Sequence, residues 1–348
     1  MLVRHYRLDG GPLAAPAPIR PPGASEVVVK VAGIALGVEP PAEIAGEVVA
    51  AGESAGEWLG RRVVVPRCLP CGDCDRCRRA RAASCPNRAA RDGLADFEIV
   101  PARYLCSVEP PLWPSALEPA IELWQLAALA DAASAPYGAL LRSGLGPGEL
   151  VVILGGGIRG AFAIALARSL GAHAAVIESD PARGERARAL GALCVIESER
   201  SPDEIHDQLA SFSAPLGLAD HGYKILETTG AFESRNRALA LLPDGGTAAF
   251  LEPSGGIAAS LDGNPSVAQP SSGVDWAHLV AREAQLLGAG PCHPELYPEL
   301  CAKLVRGELP LSLLTSAVAP EEAARAREAH LAGRLLPLPI VRPPPAAE

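Results

Sequence analysis

The chain has 348 residues, 49% apolar and 20% charged, with a formal net charge of −9. That length exceeds one small domain and accommodates two, each with its own core, and the composition argues against a disordered chain. Acidic residues outnumber basic ones 40 to 31, and no basic run is interleaved with aromatics, so nothing points to a nucleic-acid surface. The longest uncharged stretch is 12 residues, short of the ~18 that a spanning helix needs. Met1-Leu2-Val3-Arg4-His5 carries no apolar signal region. The expectation is a soluble, cytoplasmic protein acting on a small molecule, with neither nucleic acid nor membrane as partner.

Residues 26–31 (EVVVKV) alternate as a half-buried strand, and 46–52 (GEVVAAG) read as a strand ending in a turn. Two further short strands, 62–66 and 97–101, close on Pro66 and Pro101. This spacing predicts a small barrel or sandwich. A Pro-rich connector at 110–119 precedes helical periodicity over 120–130 and 137–143. From Glu149 the grammar becomes strand–helix alternation: strand 150–154, helix 160–170, strand 174–177, helix 181–190, strand 193–196, then strands 223–227, 248–251 and 285–287. Continuous apolar strands separated by helices specify a parallel sheet covered on both faces. A loop rich in Gly, Ser and Pro runs over 254–272. After Pro291 come a helix, a short strand, a helix over 320–331 and an apolar end at 338–341.

Of nine cysteines, five fall between Cys68 and Cys85. Clustering in an acidic chain without a signal points to a metal, whereas a disulfide framework would spread them. Cys71, Cys74, Cys77 and Cys85 stand in C-x2-C-x2-C-x7-C spacing. Four thiolates on a compact loop match a closed tetrahedral zinc site, structural because no position is open to substrate. Arg76, Arg78, Arg79 and Arg81 would offset its negative charge. An iron–sulfur cluster or four free thiols are the alternatives, and Cys68 is a fifth thiol within reach. Cys106, Cys194, Cys292 and Cys301 are scattered and read as ordinary core or surface thiols.

Strand 150–154 runs into Gly155-Gly156-Gly157-Ile158-Arg159-Gly160 and then a helix, which is the context a G-x-G-x-x-G turn requires. Gly155 makes the turn, Gly157 lets the backbone approach a pyrophosphate, and Gly160 packs helix on strand. Ile158 and Arg159 open the helix, whose N–H groups face the phosphates. Glu178 closes the next strand, where a ribose diol is gripped; Ser179 follows it, with no Arg to meet a 2′-phosphate. The expected cofactor is therefore NAD in preference to NADP. Thr229 and Gly230 follow strand 223–227 at the same sheet edge and are candidate cofactor neighbours.

Taken in order, the β-rich segment, the four-cysteine loop, the nucleotide fingerprint and the return segment resemble the medium-chain, zinc-containing alcohol dehydrogenase superfamily. Three strings, 58–63 (WLGRRV), 100–103 (VPAR) and 130–137 (ADAASAPY), look most like 6-hydroxycyclohex-1-ene-1-carbonyl-CoA dehydrogenases. The resemblance implies an α/β protein with a GroES-like domain (1–132 and 292–348) and a Rossmann doubly wound domain (133–291). It implies a cleft between them, a homodimer or homotetramer, and usually a second, catalytic zinc.

At that second zinc the chain departs from the family pattern. Gly-Ile-Cys is matched by Gly33-Ile34-Ala35 and Gly-His-Glu by Pro41-Ala42-Glu43, and the third ligand position is Asp131. The loop between the first two sites shrinks to Val38-Glu39-Pro40, and no His lies between His5 and His173. Glu43 and Asp131 alone do not make a catalytic zinc site, which normally has three ligands. The expectation is one structural zinc per chain and a hydride-transfer enzyme restricted to activated substrates, because no metal would stabilise an alkoxide. Glu43, Asp131 and Tyr137 are the candidate acid–base groups, against readings as solvated, ion-paired or packing residues. A non-catalytic cofactor-binding relative and an alcohol dehydrogenase with a rebuilt zinc site are the competing readings.

Overall fold

A computed structural model of the chain describes residues 2–6, 15–37, 43–66, 68–79, 84–87, 89–90, 94–108, 121–218, 222–251, 276–290 and 294–344. The chain divides into two compact units, Met1–Ser134 with Cys292–Glu348, and Ala135–Pro291.

In the first unit, strand Glu26–Ala35 buries Val27, Val29, Val31 and Ile34 in one apolar cluster with Ile44, Val48, Val63, Val65 and Val100. β-Branched residues at these positions suit a pleated, half-buried surface. The sheet runs in the order Thr315–Val318, Leu338–Val341, Glu26–Ala35, Glu43–Ala51, Arg62–Val65, Cys106–Ser107, with Phe97–Pro101 also pairing Glu26–Ala35. The return strand Leu338–Val341 is buried along its whole length and joins antiparallel to the first strand at Ile340↔Ala35 and Val341↔Ile34. The apolar end of the sequence is thus part of the N-terminal sheet.

The helical periodicity of 120–130 resolves into a 3-10 segment, Leu123–Leu129, and not an α-helix. Glu122 and Gln125 form a reciprocal capping box at its start. The segment lies so close to the sheet that a Cβ on Gly33 would overlap the Trp124 carbonyl, and Trp124 through Leu129 are all buried. The expected connector at 110–119 and the loop at 254–272 lie outside the described residues, as do Ala42 and Val38-Glu39-Pro40.

The second unit holds a six-stranded parallel sheet in the order Cys194–Ile196, His173–Ile177, Leu150–Leu154, Lys224–Glu227, Thr247–Phe250, Gln285–Gly288. All five residues of Leu150–Leu154 are buried, as a central parallel strand covered on both faces requires. Helices Ile158–Ser169 and Pro181–Ala189 follow the expected places, and two not anticipated individually, Pro202–Ser213 and Phe232–Ala240, complete the alternation. Ser201 and Glu204 cap the first of these reciprocally. The order reverses between Leu150–Leu154 and Lys224–Glu227, and such a switch point opens a crevice at the C-terminal strand ends. Among the described residues, no helix is long and apolar enough to cross a membrane.

Candidate functional site

The glycine turn occupies the C-terminal end of the central strand. Gly155 has φ +98°, a conformation that favours glycine. A Cβ there would lie 2.5 Å from Thr229 Cγ2 and 2.9 Å from Thr228 Oγ1. A Cβ on Gly160 would overlap the Gly155 carbonyl oxygen, whereas one on Gly157 would meet nothing within 4 Å. Gly155 and Gly160 are therefore required by the fold itself. Gly157, which precedes Ile158 at the start of helix Ile158–Ser169, is required by nothing the protein places there. Gly157, Ile158 and Arg159 are half-buried at that helix N-terminus, where the first-turn N–H groups and the helix dipole favour an anion.

Glu178 stands at this turn. Its Oε2 accepts from Gly156 N at 2.8 Å, and its Oε1 accepts from Ser179 N at 3.0 Å and Asp180 N at 2.9 Å. The local sequence holds no arginine directly after Glu178, but helix Pro181–Ala189 brings two back. Arg183 Nη1 lies 3.6 Å from Glu178 Oε2, and Arg186 Nη2 donates to the Gly156 carbonyl at 2.7 Å. Both ends of Gly156 are thus held by side chains. Burial, followed by the charge of Arg183, pushes the Arg186 guanidinium down to about 10. The reading that no arginine stands near Glu178 is corrected: one helical turn is enough to return it.

Across the switch point, Thr228 Oγ1 donates to the Leu154 carbonyl at 2.8 Å, tying the two strand ends together. Glu227 is fully buried and organises the following turn. Its Oε1 accepts from Thr229 N at 2.8 Å, Thr229 Oγ1 at 2.6 Å and Ser234 Oγ at 2.9 Å, and Oε2 accepts from Gly230 N at 3.1 Å. Thr229 is exposed, and Gly230 is buried with φ +69°. The sequence places Glu227 at the end of this strand beside Thr229 and Gly230, and the structure adds that its buried carboxylate holds both of them.

In the first unit, the ligating atoms of Cys71, Cys74, Cys77 and Cys85 all lie within 4.8 Å of one another, the one such group of three or more potential metal-ligating residues among the described residues. Cys74 Sγ is 3.5 Å from Cys77 Sγ and 3.8 Å from Cys85 Sγ. The donor chemistry and this convergence fit a tetrahedral thiophilic ion. Backbone N–H groups of Asp73 and Cys74 pull the Cys71 thiol down to about 6. Gly72, at φ +80°, makes the bend between the first two cysteines.

The loop is fastened to the sheet from a distance. Tyr104 donates from its hydroxyl to the Pro70 carbonyl and accepts from Arg103 Nη2 at 2.9 Å. Of the nearby arginines, Arg76 holds the Ser84 carbonyl at 2.8 Å and Arg79 pairs with Asp75 at 3.1 Å. Arg103 also feels the charges of Asp73 and Cys71, so part of the compensating charge comes from outside the loop. Arg81 and the Cys68 side chain lie outside what is described.

Glu43 and Asp131 are both buried, at 3% and 4% exposure. Glu43 sits directly across the sheet from Ala35, and Gly37 is near enough that a Cβ there would be 3.7 Å from Glu43 Oε1. The retained acid and the alanine at the expected cysteine position are therefore cross-strand partners. Asp131 occupies a turn whose preceding carbonyl, that of Ala130, accepts from Ser134 Oγ at 2.9 Å and Tyr297 Oη at 2.8 Å. Tyr137, in the second unit and on helix Ser134–Arg142, is fully buried.

Residues 23–110 match the alcohol dehydrogenase GroES-like domain, and residues 131–215 match the C-terminal domain of alanine dehydrogenase/PNT. With a mixed sheet in one unit and a switch-point parallel sheet in the other, these matches support a likeness to the medium-chain alcohol dehydrogenase superfamily. Among curated proteins it is similar to the L-galactonate-5-dehydrogenase of Escherichia coli (strain K12), 26% identical over 216 residues, covering 60% of this chain and 58% of that one. It is also similar to the L-threonine 3-dehydrogenase of Coxiella burnetii (strain RSA 493 / Nine Mile phase I), 29% identical over 220 residues and covering 60% of this chain and 58% of that one. The matched region thus spans less than two thirds of the length of these curated relatives. The fold is that of the benzyl alcohol dehydrogenase from Acinetobacter calcoaceticus, with a TM-score of 0.80, 20% identity, and 98% and 99% of the two chains covered.

Proposed function

We propose that this chain is an oxidoreductase that binds NAD(H), carries one structural zinc at Cys71, Cys74, Cys77 and Cys85, and transfers hydride to or from an activated carbonyl compound without a catalytic zinc. The observation that carries the reading is the glycine turn. Gly155 and Gly160 are sterically obligatory, while Gly157 leaves open space above a helix N-terminus. That combination suits close approach of a pyrophosphate to backbone N–H groups. The dehydrogenase names of the curated relatives support the reaction class.

When bound, the nicotinamide supplies the hydride donor or acceptor. Within the protein, the N–H groups at 157–160 bind phosphate oxygens, and Glu178 offers its carboxylate to the ribose diol. Glu227 holds Thr229 and Gly230 in the turn beside Gly155. The position of Ala35 supplies no metal-binding atom, so a metal-stabilised alkoxide is not part of this reading. Hydride exchange is then confined to substrates already polarised, such as conjugated carbonyls or alicyclic enoyl thioesters, a class in keeping with the CoA-dehydrogenase-like strings. Glu43 and Asp131 are the proposed proton-handling groups, and the full burial of Tyr137 fits a packing role.

The test is a steady-state assay of purified protein with NAD(H), on simple alcohols and on conjugated carbonyls and thioesters, with and without a chelator. Turnover of the activated compounds, unaffected by chelator, is the expected result. Rapid, chelator-sensitive oxidation of simple alcohols would refute the zinc-free mechanism. Tight NADH binding with no turnover on any compound would favour the non-catalytic reading.

A further inference from the structure

The glycine turn of the second unit carries one glycine more than its fingerprint demands. Gly156 stands at the variable position between Gly155 and Gly157, and two side chains crowd it. A Cβ there would lie 3.2 Å from Arg183 Cβ and 3.2 Å from Glu178 Cγ. Both of its backbone polar groups are held by side chains. The N–H donates to Glu178 Oε2 at 2.8 Å, and the carbonyl oxygen accepts from Arg186 Nη2 at 2.7 Å. That carbonyl shares a planar peptide group with the N–H of Gly157. A guanidinium fixed on the Gly156 oxygen therefore also fixes the direction of the Gly157 N–H, which points the opposite way in a trans peptide. Gly157 is the N-cap of helix Ile158–Ser169.

The position of Arg186 is electrostatically unfavourable for the protein alone. It is half-buried and lies three residues after Arg183 on helix Pro181–Ala189, where like charges repel. Burial, and then the charge of Arg183, lower its pKa, so its cationic form is strained by these surroundings. The N-terminus of helix Ile158–Ser169 adds a third positive feature at the same turn. Glu178 and Asp180 oppose them. Glu178, however, already accepts from the N–H groups of Gly156, Ser179 and Asp180, and Asp180 caps its own helix by accepting from Arg183 N at 2.8 Å. An anion at the turn would relieve this crowding of positive charge.

We infer that Arg186 is a positioning residue of the dinucleotide site, which clamps the Gly156 carbonyl so that the Gly157 N–H meets the pyrophosphate and which adds a cation to the field that the phosphates enter. The inference rests on the reading of this turn as a pyrophosphate site. It adds that the backbone donors are not set by the glycines alone: a side chain from the next helix aims them. It also gives the glycine at 156 a reason, since the clamp closes only where no side chain stands between Glu178 and Arg183.

The test measures binding of NADH, ADP-ribose and adenosine to the full chain at low and high salt, by NADH fluorescence and by displacement. Arg186→Met removes both the clamp and the charge. It should weaken NADH and ADP-ribose about tenfold or more, the loss expected of a hydrogen bond from a charged group, while adenosine, which has no phosphate, stays within about twofold. The salt dependence of NADH affinity should become shallower in Arg186→Met, since one cation is gone, and should return in Arg186→Lys. If the methionine variant folds poorly by its thermal midpoint, Arg186→Gln, which can donate but carries no charge, takes its place in the salt series. Arg188→Met, at an exposed position on the same helix, should match the wild type. A wild type that binds neither NADH nor ADP-ribose would overturn the pyrophosphate reading itself, and the inference with it, before any substitution is made. With wild-type binding intact, unchanged NADH affinity in folded Arg186→Met, or equal losses for ADP-ribose and adenosine at an unaltered salt dependence, would overturn the inference alone.

Discussion

Gly157→Ala and Gly160→Ala put the same methyl group three residues apart and should have opposite signatures. At Gly160 a Cβ overlaps the Gly155 carbonyl oxygen and lies 3.0 Å from its carbon, against ~3.5–4.0 Å for a relaxed carbon contact. Both neighbours are backbone, so no side chain can swing aside. Overpacking of this kind costs ~1–3 kcal/mol, and the upper end applies here. For a unit the size of Ala135–Pro291, ~3 kcal/mol lowers the thermal midpoint by about 6–12 °C. At Gly157 the backbone has φ −60° and ψ −172°, which alanine adopts freely, and a Cβ meets nothing within 4 Å. The remaining cost is the weaker preference for alanine at a helix N-cap, roughly 1 kcal/mol or less. If a pyrophosphate is to lie over Gly157, however, the methyl occupies its path. A misfit of ~1–3 kcal/mol then weakens NADH binding by about 5- to 150-fold. Differential scanning fluorimetry gives the midpoints, and NADH fluorescence titration gives the affinities. Gly157→Ala should keep its midpoint within a few degrees of the wild type and lose affinity. Unchanged NADH affinity in a folded Gly157→Ala protein would refute the assignment of this turn to the phosphates.

Elemental analysis should find one zinc per chain, and Cys74→Ser should lose it while retaining NADH affinity, since the loop belongs to the unit that does not contain the glycine turn; two zincs per chain would contradict the assignment. NADH should bind more tightly than NADPH by a factor of about ten, or ~1.4 kcal/mol. Glu178→Ala should narrow that gap, and Arg183→Ala, by removing the cation 3.6 Å from Glu178, should widen it; equal affinities for the two nucleotides in the wild type would count against the role given to Glu178.

Short-range chemistry was legible in the sequence. The spacing of Cys71, Cys74, Cys77 and Cys85 already requires a loop on which four sulfurs can converge. The run from Leu150 through Gly160 contains strand, turn and helix start within eleven residues, so local sterics alone define its shape. The same holds for strands such as Glu26–Ala35 and Leu150–Leu154, where the pattern of apolar residues states which faces are buried.

Relations set by register and by packing between distant elements were not legible. Arg183 and Arg186 reach Glu178 and Gly156 because helix Pro181–Ala189 folds back over the turn. Arg103 meets the cysteine loop only because Tyr104 is bonded to Pro70 across 34 positions. Glu43 faces Ala35 through one particular register of two antiparallel strands, and a slip of one residue would turn its side chain to the other face. A local pattern determines how a segment folds and which residue types it presents. Which side chains then meet is decided by sheet register and helix docking, interactions summed over many weak contacts that no single stretch of sequence contains.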